Sequence, residues 1–258
     1  MLPRPSGIVV LLTDFGSRDP YVGLMKGMVL RQHGKAQLID LAHDVAAQDV
    51  ALGAFFLRAA AGRFPPGTTY VAVVDPGVGT ARQAVCGLAH DCYWLGPDNG
   101  VLGEVFAAET RGQTWSDLRY VDWDHLGFGP VSRTFHGRDV FAPLAGGLAG
   151  GRVGFTAVGP RCAEPVRVPP LVAGPPRVVH VDTYGNLVTN VPATAIANVR
   201  SVRIGGRSVP VRGTYADAAP GALLSLINSY DLLEIAENQG SAAATLGAGR
   251  GAQVVLEN

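Results

Sequence analysis

Residues 7–16 read Gly7-Ile8-Val9-Val10-Leu11-Leu12-Thr13-Asp14-Phe15-Gly16. The run from Gly7 to Leu12 is apolar without alternation, as expected of a strand covered on both faces. An aspartate follows at once. Working outward, Tyr21–Gln32 puts Val22, Met25 and Val29 on one helical face, and Ala36–Leu41 reads as a second strand. Leu52, Phe55, Phe56 and Ala59 then recur at helical spacing until Pro65-Pro66-Gly67 stops the helix. Thr68–Val74 is a β-branched run that ends at Asp75. This β-α-β-α-β order predicts a largely parallel sheet with helices on its faces. Ligands of such sheets gather outside the carboxyl ends of the strands, where Asp14 and Asp75 both fall.

Further along, shorter strands are expected at Ala84–Ala89 and Tyr93–Leu95, then a helix over Arg138–Ala149. Pro165, Pro169, Pro170, Pro175 and Pro176 break the pattern and mark residues 165–177 as a linker. Beyond it, Val178–Val181, Leu187–Thr189, Ser201–Ile204, Ser208–Val211, Leu232–Ala236 and Gln253–Leu256 read as short strands between Gly and Asn turns. The expected architecture is α/β: an N-terminal domain (1–164) with a mostly parallel sheet, and a smaller C-terminal antiparallel β-barrel domain (178–258).

The 258 residues carry 21 basic and 21 acidic side chains, with no long basic run. That balance argues against a nucleic-acid or anionic-membrane partner. No stretch approaches the ~20 apolar residues of a membrane span. The apolar run after Arg4 is too short for a secretory signal. Cys86, Cys92 and Cys162 are odd in number and lack Cys-x-x-Cys spacing, which suits reduced thiols in a cytoplasm rather than a disulfide frame or zinc site.

Gly77-Val78-Gly79-Thr80 lacks the lysine of a phosphate loop, and no G-x-S-x-G elbow occurs. Gly247-Ala248-Gly249-Arg250-Gly251 opens no helix, so a dinucleotide reading is weak. Four blocks carry more: Thr13-Asp14-Phe15-Gly16; Asp75-Pro76-Gly77-Val78-Gly79-Thr80-Ala81-Arg82; Thr134-Phe135-His136-Gly137-Arg138-Asp139; and Asp182-Thr183-Tyr184-Gly185-Asn186. Singly, each has a plain structural reading. Asp14 suits a helix N-cap, Asp75 a turn, Arg82 a solvated charge and His136 a helix start.

Together, and with Pro97-Asp98-Asn99-Gly100, Asn228-Ser229-Tyr230 and Ile235-Ala236-Glu237-Asn238, the blocks resemble the S-adenosylmethionine hydroxide adenosyltransferases. These are relatives of the bacterial fluorinase and chlorinase, and the resemblance runs from about Ile8 to Glu257. It implies a homotrimer with active sites at subunit interfaces. The halogenase branch has tyrosine for the carboxylate of the Asp75 block and lacks the histidine, and the fluorinase has serine opposite Gly137. This chain keeps Asp75, Arg82 and His136 together, so the resemblance implies water as the nucleophile and S-adenosyl-L-methionine as substrate, cleaved to adenosine and methionine.

In that reading Asp75 orients the water, Arg82 stabilises developing hydroxide, and His136 accepts or relays the proton. By the same resemblance Asp14 grips the ribose hydroxyls, and Asp19 and Asp182 are candidates for the methionine ammonium. Ser229 and the Tyr230 backbone face its carboxylate. Asn186 and the Glu237–Gln239 backbone read the adenine edge, and Tyr184 and Tyr215 stack on its face. Gln48 stands where the halogenases have an aromatic. No metal or cofactor is expected. Three other readings stay open: a halogenase, a non-catalytic S-adenosylmethionine or adenosine binding module, and a metal-dependent phosphohydrolase on Asp14, Asp40, His43 and Asp44.

Overall fold

The computed structural model describes residues 2–110 and 118–258, and divides them into two compact units, Met1–Pro170 and Leu171–Asn258. In the first, β1 (Ile8–Thr13), α1 (Tyr21–Gln32), β2 (Gln37–Ala42), α2 (Val50–Ala60) and β3 (Thr69–Val73) follow the expected order. Then come β4 (Ala84–Ala89), β5 (Cys92–Pro97), α3 (Gly103–Thr110), β6 (Leu118–Tyr120), α4 (Trp123–Leu126) and α5 (Ala142–Ala149). The sheet order is β2-β1-β3-β5-β4-β6. The first four neighbours are parallel, and β4 pairs antiparallel with β5 and β6.

Burial explains the opening run. Val9, Val10, Leu11 and Leu12 are buried because the sheet is covered on both faces. Val9 and Leu11 join Met25 and Val29 of α1 and Leu144 and Leu148 of α5 in one core. On the other side Gly53 of α2 fits against Leu12 and Val74. Capping also decides where α2 begins. Asp49 is its N-cap, accepting from the Leu52 N–H at 2.9 Å.

Two features were not expected. The β4–β5 hairpin closes through His90 and Asp91, whose φ values of 51° and 56° are both positive, as a two-residue hairpin turn of mirror-image type requires. The helix expected over Arg138–Ala149 instead starts as a π-helical turn, Gly137–Phe141, in which the Ala142 N–H reaches the Gly137 carbonyl. Pro143 has no N–H for the carbonyl of Asp139, so an α-helical bond is missing where the turn widens.

The second unit carries β7 (Val178–Val181), β8 (Leu187–Pro192), β9 (Ser201–Ile204), β10 (Arg207–Pro210), β11 (Leu223–Ile227), β12 (Leu232–Glu237), α6 (Ala242–Leu246) and β13 (Val255–Glu257). It is antiparallel as expected, but the barrel is not closed among the described residues. One sheet runs β11-β12-β8-β7 and the other β10-β9-β13. They share a core of Leu187, Leu233 and Ile235 from one and Val202, Ile204 and Val209 from the other. The edges are joined by the isolated bridges Val211↔Ser225 and Arg177↔Gln253 and by a few backbone hydrogen bonds beside them, such as Arg212 N–H to the Ser225 carbonyl and Val178 N–H to the Ala252 carbonyl. Pro210 ends β10 without an N–H to donate, which limits pairing toward β11.

The Pro-rich segment 165–177 contains the boundary between the two units. The Val166 N–H donates to Asp98 Oδ1 at 2.9 Å within the first unit. In the second, Arg177 donates to the carbonyls of Leu171, Ala173 and Pro175 and orders the chain around itself. Among the described residues no helix is long and apolar enough to cross a membrane.

Candidate active site

The loop after β3 carries Asp75 and turns sharply to bring Arg82 back onto it. Gly79 makes the turn possible: its φ is 78°, and a Cβ there would lie 2.4 Å from the carbonyl oxygen of Arg133. That approach sets the loop against the segment leading to His136. Arg82 Nε donates to Asp75 Oδ1 at 2.9 Å, and Nη2 donates to Oδ2. Nη2 also contacts His136 Nδ1 at 2.9 Å. The Arg82 and Asp75 side chains are 9% and 5% exposed, and the guanidinium carbon lies 5.7 Å from the Phe141 ring centroid. His136 is buried, with Trp123 5.8 Å away between ring centroids.

This contact fixes the imidazole tautomer. A guanidinium only donates, so Nδ1 of His136 is the accepting nitrogen and the neutral ring carries its proton on Nε2. Burial, with the adjoining Arg82 charge, holds its pKa below the ordinary 6.5. Of the two roles expected of His136, accepting or relaying the proton, direct acceptance does not fit this hydrogen bonding, in which the ring's second nitrogen is a donor.

Asp14 follows β1 directly, half-buried, and its Oδ2 accepts from the Gln48 N–H at 2.8 Å. Gln48 holds a left-handed φ of 65° to present that N–H. Phe135 meets Phe15 and Tyr21 edge-on, and Phe15 and Tyr21 meet at a tilt, with centroids 5.4–5.8 Å apart, tying the Asp14 loop and the start of α1 to the residue before His136. Sequence reasoning did not single out this aromatic trio. Asp19 is exposed in the bend before α1.

The side chains of the phosphohydrolase alternative are partnered otherwise. His43 Nδ1 bonds Thr13 Oγ1 at 2.9 Å and Nε2 bonds Asp40 Oδ1 at 2.9 Å, while Lys26 donates to Asp40 Oδ2 at 2.7 Å. Burial raises the Asp40 pKa, but the bonds from His43 and Lys26 outweigh it and hold the carboxyl low. Among the described residues, no group of three or more His, Cys, Asp or Glu side chains is arranged to hold a metal ion.

In the second unit Tyr184, Asn186, Tyr215, Glu237 and Gln239 line one depression of about 570 Å³ with Asn238 and Gly240. Five predicted residues thus converge from three separate segments. Gly185, at φ 82°, lets the Asp182–Asn186 turn press on Ser241, where a Cβ would lie 2.0 Å from the hydroxyl oxygen. Asp182 builds that turn. Its Oδ1 accepts from the Tyr184 and Asn186 N–H groups, and its Oδ2 from Asn186 Nδ2, all at 2.9 Å. This favours a turn-forming role over a grip on an ammonium. Ser229 and Tyr230 are exposed in the turn between β11 and β12, outside the depression's lining. Sequence reasoning missed Glu234, a buried carboxylate that accepts from Tyr215 Oη at 2.6 Å and from Asn228 Nδ2 at 3.1 Å.

Comparison with known proteins bears on both units. The model of the SAM hydroxide adenosyltransferase N-terminal domain matches residues 9–159, and that of the C-terminal domain matches 176–255. An (R)-S-adenosyl-L-methionine hydrolase of Thermus thermophilus is 38% identical over 257 residues, covering 96% of this chain and 98% of the relative. The crystal structure of an uncharacterized conserved protein from Thermotoga maritima superposes with a TM-score of 0.85 at 32% identity, covering 96% of this chain and all of that one. A fluorinase of Nocardia brasiliensis is more distant, at 26% identity over 92% of each chain.

Proposed function

The chain belongs to the SAM hydroxide adenosyltransferase family, and on that premise we propose that it uses water to split S-adenosyl-L-methionine into adenosine and L-methionine. The observation that carries this reading is the Asp75–Arg82–His136 constellation, in which one buried guanidinium holds a carboxylate and a neutral imidazole at fixed positions. The reaction is an in-line displacement at the ribose C5′. The C5′–O bond forms as the C5′–S bond breaks, and the electron pair stays on sulfur as a neutral thioether. No general acid is needed.

The hydrogen bonds that remain suit a water. Arg82 Nη1 carries two N–H groups and, among the described residues, makes one long bond, 3.4 Å, to the Gln83 carbonyl. Each Asp75 oxygen takes one N–H from Arg82, which leaves lone pairs to accept from water. A water that accepts one N–H from Arg82 Nη1 and donates to Asp75 keeps its second lone pair free for C5′, while His136 holds the guanidinium in place through Nδ1. Once the C–O bond forms, the attached oxonium is a strong acid, so Asp75 suffices to take the proton and pass it to solvent. Fixing the water about 3–3.5 Å from C5′ removes a large part of the entropic barrier. Asp14 grips the ribose hydroxyls and Asp19 faces the methionine ammonium. Asn186 and the Glu237–Gln239 backbone read adenine, Tyr184 and Tyr215 flank it, and the Ser229–Tyr230 turn takes the methionine carboxylate.

The reading includes a homotrimer in which nucleophile-handling residues of one subunit meet adenine-holding residues of another, and a cytoplasmic location. The buried free thiols of Cys86, Cys92 and Cys162 are compatible with a reducing compartment. It needs no metal or cofactor. A fluorinase is disfavoured at Gly137, which has no hydroxyl to hold a halide; a Cβ there would lie 3.1 Å from Met25 Sδ and 3.2 Å from Phe135, so a serine would need both to shift slightly. In a direct test, purified protein is given the substrate in halide-free buffer with chelator. Adenosine and methionine in equal amounts are expected; product formed only with halide or metal would overturn the reading.

Activity should also depend on pH in a defined direction. Protonating His136 removes the lone pair that takes the Arg82 N–H and sets a second cation beside it. Since burial and Arg82 hold the ring's pKa below 6.5, kcat/KM is expected to be flat through neutral pH and to fall by about tenfold per unit only below that lowered value. The same group links to stability. The unfolded chain takes the proton more readily, so this contribution is complete above 6.5 and is lost as pH falls toward the lowered folded value. Paired pH–rate and pH–melting curves, with His136→Asn as reference, check both parts.

A further inference from the structure

We propose that Glu234 is a positioning residue for substrate binding, a single buried carboxylate that locks the Tyr215 ring and the turn carrying Ser229 and Tyr230 into one arrangement. This rests on the reading that those residues hold S-adenosyl-L-methionine. Glu234 lies on β12 and is 4% exposed. A carboxylate there is costly unless donors meet it. The donors it has are two side chains from separate segments: Tyr215 Oη on Oε1 at 2.6 Å and Asn228 Nδ2 on Oε2 at 3.1 Å.

Each donor belongs to a segment with a proposed substrate contact. Tyr215 opens a 3-10 turn whose capping box, Thr214 with Asp217, fixes the backbone, and its side chain lines the depression with Tyr184 and Asn186. The backbone cap sets where the ring begins, and Glu234 sets where its far end lies. Burial and the Glu234 carboxylate both push the Tyr215 phenol pKa upward, so the hydroxyl remains a donor. Asn228 does the corresponding work on the other side. Its Oδ1 accepts from the Tyr230 N–H at 2.9 Å and the Leu232 N–H at 3.2 Å, which folds the turn that presents Ser229. Because Oδ1 is committed, the amide cannot flip without losing the turn, and Nδ2 must face an acceptor. Glu234 is that acceptor.

An apolar residue could fill the same space without a buried charge, and such replacements are often neutral or stabilising. What it could not do is orient a phenol and an amide at once. Both substrate-holding segments therefore depend on one side chain that touches no substrate, and none of the groups that handle the water lies on it.

The test is steady-state kinetics with S-adenosyl-L-methionine, calorimetric binding of adenosine and thermal melting, on wild type, Glu234→Ala, Glu234→Gln and Tyr215→Phe. Glu234→Ala is expected to raise KM about ten- to a hundredfold, in line with hydrogen bonds to a charged group, with kcat within about threefold. Glu234→Gln should recover most of this, its carbonyl accepting from Asn228 and its amide donating to the phenol oxygen. Tyr215→Phe keeps the ring and loses only the bond, so it should raise KM by a smaller factor, and it serves if Glu234→Ala does not fold. Adenosine affinity should fall in parallel. A Glu234→Ala that melts lower with KM unchanged, a Gln variant as impaired as Ala, or a Tyr215→Phe with wild-type KM would overturn the positioning role. A wild type that neither binds nor cleaves the substrate would instead overturn the functional reading on which it rests.

Discussion

Arg82→Lys is expected to lower kcat/KM by about 10²- to 10³-fold, the usual loss when one fixed donor of a catalytic constellation is removed. The charge survives this substitution, but the planar fork does not. Arg82 meets both oxygens of Asp75 and the Nδ1 of His136 from Nε and Nη2 alone, leaving Nη1 for the water. An ammonium has three N–H groups radiating from one atom and cannot span these partners and a water. Arg82→Ala should lose more activity, and by leaving Asp75 buried without its partner it should also destabilise the fold by about 3–5 kcal/mol. Comparing kcat/KM and melting of the two variants separates position from charge. A lysine variant with near wild-type activity would mean that the fork is not what holds the nucleophile.

Asp14→Ala is the second large effect. A carboxylate that takes two ribose hydroxyls contributes two charge-assisted hydrogen bonds, each worth about 1.5–3 kcal/mol, and it also orients C5′ for attack. The variant is expected to raise KM about 10²-fold or more and to lower kcat as well, because a ribose free to rotate no longer holds C5′ in line. Stability should change little, since the side chain is only half-buried and the bond from the Gln48 N–H is a single one. The check is a kinetic comparison with a substrate lacking the 2′-hydroxyl. That substrate should be poor for wild type and no worse than the natural one for Asp14→Ala. An unaltered preference in the variant would place the ribose elsewhere.

Much of the first unit was legible because its signals are long. Val9 to Leu12 is uniformly apolar and proves buried on both faces, and Val22, Met25 and Val29 are the buried face of α1. What was not legible has local causes. The β4–β5 turn uses His90-Asp91 where Asn-Gly is the usual signature, so nothing in the letters announced two positive φ values. β11, Leu223-Leu224-Ser225-Leu226-Ile227, is a short apolar run that periodicity cannot tell from helix. The open second unit depends on where pairing fails, at Pro210, rather than on where strands occur.

In the site, motif blocks pointed to Asp14, Asp75, Arg82 and His136, but which nitrogen of His136 accepts is a matter of side-chain geometry. Asp182 was legible as a polar residue in a marked turn, yet its carboxylate accepts from Tyr184 and Asn186 of that same turn. Glu234 carried no signal, since in Leu232-Leu233-Glu234-Ile235-Ala236-Glu237 it reads as an ordinary solvent-facing position. Its donors, Tyr215 and Asn228, lie outside that stretch of sequence.

The most direct measurement is the reaction run in heavy-oxygen water, with the mass of each product determined. Water attack at C5′ predicts adenosine carrying the heavy oxygen at its 5′ position, methionine without it, and no labelled adenosine from Asp75→Ala. Adenosine without the label, or label appearing in the amino-acid product, would contradict the account.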